Sequence, residues 1–167
     1  DGLSDGTYYV GMIIDPDEAN LEATRSNNRN RGSSLDYDGV VVDVNPPEDL
    51  RGETFAITQS AAEPGDTVDV DLRVLNAGNG QAGAFTVGVY LSPNSFISTG
   101  DTLLRQIAFA EGLPGLTATD VPTTVTLPEN DSAFWSAQAD GTYYLGAVYD
   151  IYDERAETDE SNNANLG

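Results

Sequence analysis

The 167-residue chain carries 28 Asp and Glu against 7 basic residues, every one of them Arg, for a formal charge of −21. A polyanion of this density is repelled by phosphate backbones and anionic lipid, so we expect no nucleic-acid partner and no docking to a membrane. With no His, no Cys and no Lys there is no Ser-His-Asp or Cys-His nucleophile, thiolate zinc site, disulfide, Schiff-base amine or P-loop lysine.

The length leaves room for one well-cored domain and part of another. No apolar run approaches the roughly 18 residues of a membrane span. The opening DGLSDGTYY lacks the basic and apolar regions of a signal peptide, so Asp1 is expected to be an internal or processed start, with export encoded elsewhere.

In chain order, the first apolar stretch is 5–14, DGTYYVGMII, with Tyr8, Val10, Met12 and Ile14 alternating as a strand. Residues 33–52 carry Ser, Pro, Gly and Asp around one apolar run, Val40–Val44, and read either as a linker holding one strand or as an early first strand of the second module. From there the period is two. Strands are expected at 54–59, at Val68–Val74 (apolar residues alternating with Asp69, Asp71 and Arg73), and at Phe85–Leu91. Others lie at 102–109, 121–127 and 141–149, with a short one at 154–158. Turn chemistry separates them: Glu63-Pro-Gly-Asp66, Asn76-Ala-Gly-Asn-Gly80, Ser92-Pro-Asn94, Leu113-Pro-Gly115 and Asp140-Gly141. About seven short strands so spaced, with no 3.6-residue periodicity, indicate an all-β, immunoglobulin-like sandwich with an extra N-terminal β-hairpin. Asp140-Gly-Thr-Tyr143-Tyr144 has an acidic residue followed by a Tyr four positions on, where the penultimate strand begins, as at the tyrosine corner of such a fold, and the pattern recurs at Asp5 through Tyr9; Tyr143 and Tyr144 read alternatively as ordinary strand aromatics, one facing in and one out. Trp135, beside Phe134, is expected beneath the connection that precedes that strand.

The chain repeats itself. Residues 5–32 (DGTYYVGMIIDPDEANLEATRSNNRNRG) and 140–167 (DGTYYLGAVYDIYDERAETDESNNANLG) share Asp-Gly-Thr-Tyr-Tyr, a Gly, an Asp, a Glu and Ser-Asn-Asn at an offset of 135. That offset suits a whole domain plus a linker. Residues 1–32 therefore read as the last two strands of a preceding repeat, 33–52 as a linker with one possible strand, and 53–167 as the complete sandwich. Two strands alone leave Tyr8, Val10, Met12 and Ile14 as candidate assembly residues. The first 32 residues are then either part of a window on a longer tandem array or a strand donor to a neighbouring chain.

The succession EPGDTVDVDLRVLNAGN, AGAFTVGVYLSPN, STGDTLL, DGTYYLGAVYD and ETDESNN resembles the CARDB module, the cell-adhesion-related domain found in bacteria, over about residues 53–165. The resemblance implies an immunoglobulin-like fold in tandem arrays on secreted or surface-anchored prokaryotic proteins, an adhesive or spacer role, and no catalytic residues. Two departures stand out: the N-terminal copy has Glu22-Ala-Thr-Arg25 where the C-terminal copy has Glu157-Thr-Asp-Glu160, and the segment between copies is long.

Calcium is the sharpest chemical expectation, because it takes six to eight oxygens from carboxylates, Asn and carbonyls. Asp150, Asp153, Glu157, Asp159, Glu160 and Asn162 are the candidate ligands, together with Glu154 and Asn163 nearby, on the last hairpin. The loop Asn94–Asp101 is a second, carboxylate-poor candidate. Neither has the D-x-[DN]-x-[DN]-G spacing, and the same residues read equally as a solvated acidic hairpin ended by a Ser-Asn-Asn cap. Asn130-Asp-Ser132 is a glycosylation sequon of a kind common by chance. The reading is an extracellular or cell-surface, non-enzymatic structural module that partners copies of itself or neighbouring repeats. The alternative is a carbohydrate- or protein-binding accessory domain of a secreted enzyme.

Overall fold

Alternation sets the strands. A computed structural model describes residues 3–44, 46–138 and 140–164. Among the described residues there are eight strands: β1 (Gly6–Gly11), β2 (Tyr37–Val42), β3 (Leu50–Ile57), β4 (Thr67–Asn76), β5 (Phe85–Ser92), β6 (Thr102–Phe109), β7 (Thr117–Thr126) and β8 (Tyr144–Val148). The chain divides into two units, Asp1–Asn45 and Pro46–Gly167.

The second unit holds two three-stranded antiparallel sheets, ordered β3-β4-β7 and β6-β5-β8. Val68, Val70, Leu72 and Val74 of β4 turn inward and meet Phe85, Val87, Val89 and Leu91 of β5, all of them buried. The ring of Phe85 stacks on Phe109 with centroids 4.5 Å apart. On the outer face of β4, Arg73 reaches Glu53 at 2.5 Å and Asp120 at 2.8 Å, so the polar half of the alternation becomes a cross-strand ion network.

The turn residues act as their chemistry demands. Asn76, fully buried at the end of β4, donates Nδ2 to Gly80 O (2.7 Å) and Leu113 O (2.9 Å). Its Oδ1 accepts from the amides of Asp49 and Gly78, both at 3.1 Å. Gly65 takes φ 87° in the Glu63–Asp66 turn, a conformation that favours glycine. Trp135 lies in a 3-10 turn before β8, donates Nε1 to Pro128 O at 2.8 Å, and packs edge-on against Phe134 and Tyr143.

Two expectations need correction. The predicted strand at 154–158 is a loop, whose bridge of Glu157 to Glu48 is isolated and parallel and lies outside the sheets. The carboxylate of Asp150 causes this: it accepts from the amides of Glu154 (3.0 Å) and Arg155 (2.8 Å) and curls the backbone away from an extended path. Moreover, among the described residues 3–32 there is one strand, not two. β1 pairs with β2, which is the one strand expected within 33–52, while β3 begins at Leu50, inside the same segment.

The first unit has no buried core among its described residues. In its antiparallel pair, Val10, Met12 and Ile14 remain more than half exposed, and Tyr9 packs edge-on against Tyr37. Tyr8 makes a corner: its hydroxyl donates to Ser4 O at 2.7 Å and accepts from Ser4 N at 3.0 Å. The matching position for Tyr143, Ala139, lies outside the described residues.

The repeat is conformational as well as sequential. Asp15 has φ 49° and accepts from the amides of Ala19 and Asn20; Asp150 has φ 49° and accepts from those of Glu154 and Arg155. Glu18 and Asp153 share φ near 50°, at 52° and 54°. The amide of Ile14 donates to Asn28 O, and that of Tyr149 donates to Asn163 O. Each pair is separated by the same 135 residues that relate the sequences.

Candidate functional site: an acidic corner

The segment after β8 folds back on the residues that lead into β3. Glu48, carried on Pro46-Pro47, accepts from Arg155 Nε (2.9 Å) and Nη2 (2.7 Å). Its main-chain oxygen accepts from the amide of Thr158 at 2.9 Å. Asn162 donates Nδ2 to Asp49 Oδ1 at 2.7 Å. Glu157 accepts from the amide of Leu50 and, at 3.2 Å, from Asn163 Nδ2. Glu160 accepts from the amide of Glu157 at 2.8 Å.

Electrostatics set this corner apart. Burial pushes the Glu157 carboxyl up to about 7, and the negative charges of Glu160 and Asp150 push the same way, against the bonds from Leu50 and Asn163. Asp159, exposed, is held below its ordinary value by the hydroxyl and amide of Ser161, which it caps. Three buried acceptor oxygens have no hydrogen-bond donor among the described residues: Glu48 Oε2, Asn162 Oδ1 and Asn163 Oδ1. Left so, each costs on the order of 1–3 kcal/mol.

Of the six residues predicted to bind metal, the structure brings Glu157, Glu160 and Asn162 into this corner. Asp150 is buried, with both oxygens used by backbone amides; Asp153 is exposed on the loop; Asp159 is spent on its cap. Among the described residues no three acidic, His or Cys side chains converge tightly enough to cage an ion. The unsatisfied acceptors are carboxylate and amide oxygens, the kind of donor that hard cations take. The Asn94–Asp101 loop closes on itself, with Asp101 accepting from Ser98 N and Oγ at 2.8 and 3.0 Å. Glu48 and Asp49 are the residues that sequence reasoning missed; the one signal for them was the acidic pair after two prolines.

A second feature is a groove of about 530 Å³ between β3 and β8, walled by Arg51 and Phe55 on one side and Leu145, Ala147 and Tyr149 on the other. Near Trp135 and Tyr143 lies a smaller hollow of about 350 Å³, with Asn130, Gln138 and Asp140 at its edge.

The CARDB family model matches residues 48–166. Among solved structures, the chain is similar to the CARDB domain of the PF1109 protein from Pyrococcus furiosus, determined in complex with di-metal ions. The two share 18% identity over 71% of this chain and 87% of that one, with a TM-score of 0.50. Two structures of β-glucosidase 3B from Thermotoga neapolitana, with α-D-glucose and with glycerol, align at 18% and 17% identity. Each covers 66% of this chain and 14% of that one, with a TM-score of 0.43. No curated protein matches the chain. The extent of the family match and the two-sheet fold together place this chain in the CARDB family, whose immunoglobulin-like, non-catalytic module it forms over residues 48–166.

Proposed function

We propose that this chain is a structural and adhesive module of an extracellular prokaryotic protein, repeated in tandem, self-assembling through its strands, and stiffened by calcium at the acidic corner. The observation that carries the calcium reading is the set of three donorless acceptor oxygens beside a carboxyl raised to about 7. A divalent cation would satisfy those oxygens, neutralise Glu157 and tie the residues before β3 to those after β8. The metal ions of the Pyrococcus furiosus CARDB domain are consistent with this. So is the surplus of acid, which favours weak, exchangeable binding of the millimolar class found in extracellular modules.

The test is the melting temperature of the chain across a calcium titration and in chelator. We expect stabilisation that saturates in the range of about 0.1–10 mM and is lost in Glu157→Gln. No calcium-dependent shift, or an equal shift in Glu157→Gln, would refute it.

The hollow beside Trp135 favours a second reading, that of a carbohydrate-binding accessory domain. An aromatic wall with amides and a carboxylate at its rim is the chemistry of sugar recognition. Saturable quenching of Trp135 fluorescence by oligosaccharides would support it, and a flat titration would remove it.

A further inference from the structure

Among the chain's asparagines only Asn130 has Ser or Thr two residues on, in Asn130-Asp131-Ser132. By sequence alone that pattern is weak, and its place in the fold decides whether an enzyme can use it. The sequon lies on the connection from β7 to β8, which is built as a fixed base and a projecting tip. At the base, Pro128 O accepts from Trp135 Nε1 at 2.8 Å and from Gly65 N at 3.1 Å, while Leu127 N donates to Asp66 O at 2.8 Å. Residues 129–134 project from this closure.

Glu129, Asn130 and Asp131 are exposed, and the Ser132 amide closes the turn on Glu129 O at 2.9 Å. The Ser132 hydroxyl is buried without a hydrogen-bond partner among the described residues. Opening the tip therefore breaks the bond from the Ser132 amide, gives up none from the Ser132 hydroxyl, and leaves the base and both strands in place. A glycosyltransferase that draws the asparagine and the hydroxyl into its own site needs that freedom, which a residue within a strand does not have.

Beside the tip lies the hollow of about 350 Å³, with Asn130 among its lining residues. Its wall is formed by Trp135 and Tyr143, edge to face with ring centroids 5.0 Å apart. The Trp135 N–H is committed to Pro128 O, so the indole offers the hollow its apolar body. Gln138 and Asp140 add an amide and a carboxylate. A pyranose matches this set, with C–H groups for the aromatic wall and hydroxyls for the polar side chains.

We propose that Asn130 is a site of N-linked glycosylation and that the first sugar of the attached glycan rests in this hollow. The proposal rests on the extracellular reading above, because this sequon is used on surface loops of secreted proteins. The donor is an oligosaccharide joined through phosphate to a lipid. Asn130 Nδ2 attacks the anomeric carbon of the first sugar, and a C–N bond forms as the C–O bond to phosphate breaks. The lipid phosphate leaves with the electron pair, and the Nδ2 proton passes to a base of the transferase. Nothing is oxidised or reduced. Tethered at the rim, the sugar has an effective concentration in the hollow of the millimolar class, which favours it over a free oligosaccharide.

The test is mass spectrometry of the chain from the medium and from the cells of its own host. The chain has no Lys, and Arg105 and Arg155 bracket the sequon, so trypsin releases it in the peptide Gln106–Arg155. That peptide is expected to carry a glycan mass that is absent from Asn130→Gln and Ser132→Ala and present in Ser132→Thr made in the same host. Trp135, the only tryptophan, reports the seat. Its emission should differ between the glycosylated chain and the same wild-type chain made in cells without the transferase, and free oligosaccharide should quench the glycosylated chain less. Equal emission, or equal quenching of the two, overturns the seat. A glycan mass that persists in Asn130→Gln overturns the site. An unmodified peptide from chain recovered in the medium overturns the whole proposal and leaves the module reading standing, whereas chain recovered only inside the cells overturns both.

Discussion

Replacing Asn76 tests how the acidic corner is built. The side chain is fully buried and makes four hydrogen bonds, to Gly80 O, Leu113 O, Asp49 N and Gly78 N. In Asn76→Ala, Leu113 O keeps its bond from Ala82 N, while Gly80 O, Gly78 N and Asp49 N lose the bonds made by Asn76. At about 1–3 kcal/mol for each orphaned group, less what entering water recovers, the cost is about 3–5 kcal/mol. For a unit of this size that lowers Tm by about 10–20 °C. Asn76→Asp separates hydrogen bonding from volume. Its carboxylate can still accept from Asp49 and Gly78, but its second oxygen then faces two carbonyls. At pH 8 it should cost at least as much as the alanine variant, and below about pH 5, where the acid can donate a proton to Gly80 O, it should recover part of the loss. The assay is urea unfolding followed by Trp135, the only tryptophan, which reports the sandwich alone. A loss below about 1 kcal/mol in Asn76→Ala, or an Asn76→Asp curve independent of pH, would refute the reasoning.

Other outcomes come from the same geometry. The Glu157 pKa of about 7 lies above its ordinary 4.5, so its contribution is fully present below pH 4.5 and is lost as pH rises through 7. Because the group is half exposed, the loss is discounted to about 1–2 kcal/mol; it should appear in chelator as a difference between wild type and Glu157→Gln in urea unfolding at about pH 4.5 and about pH 8. Two Arg155 nitrogens converge on the single oxygen Oε1 of Glu48 in a half-buried pair, and a double-mutant cycle to Ala should give a coupling of about 1–2 kcal/mol, little reduced by salt.

β4 was legible because it alternates around a single buried face, and β5 because Phe85, Val87, Val89 and Leu91 keep the same period although its other face is buried too. The strand over Val68–Val74 was right in place and in facing, and the structure extends it to Asn76. β3 was harder to place because its first turn is anchored from far away: Leu50 N donates to Glu157, more than a hundred residues on. The same distance hid Glu48 and Asp49, whose partners Arg155 and Asn162 are equally remote. The strand predicted at 154–158 failed for a local reason, since no period-two pattern reveals that the Asp150 carboxylate will gather two downstream amides. The apolar run Val40–Val44 marked the strand that became β2, but not its pairing with β1, because at the 135-residue offset its counterpart falls past residue 167 and comparing the repeats gave no second example of that pair.

The corner is held by two kinds of contact, one local and one made with the sheet. The loop that begins at Asp150 is held by its own side chain, a device found again at Asp15, so its conformation does not depend on the sheet it stands against. The return of Asn162 and Asn163 toward Asp49 and Glu157 does depend on the sheet, and it sets the mouth of the groove. In the first unit the loop is intact while the sandwich around it is absent from the described residues, and there β2 lies along the neighbouring edge. The loop therefore sits where a last strand enters, and leaves that strand's edge clear.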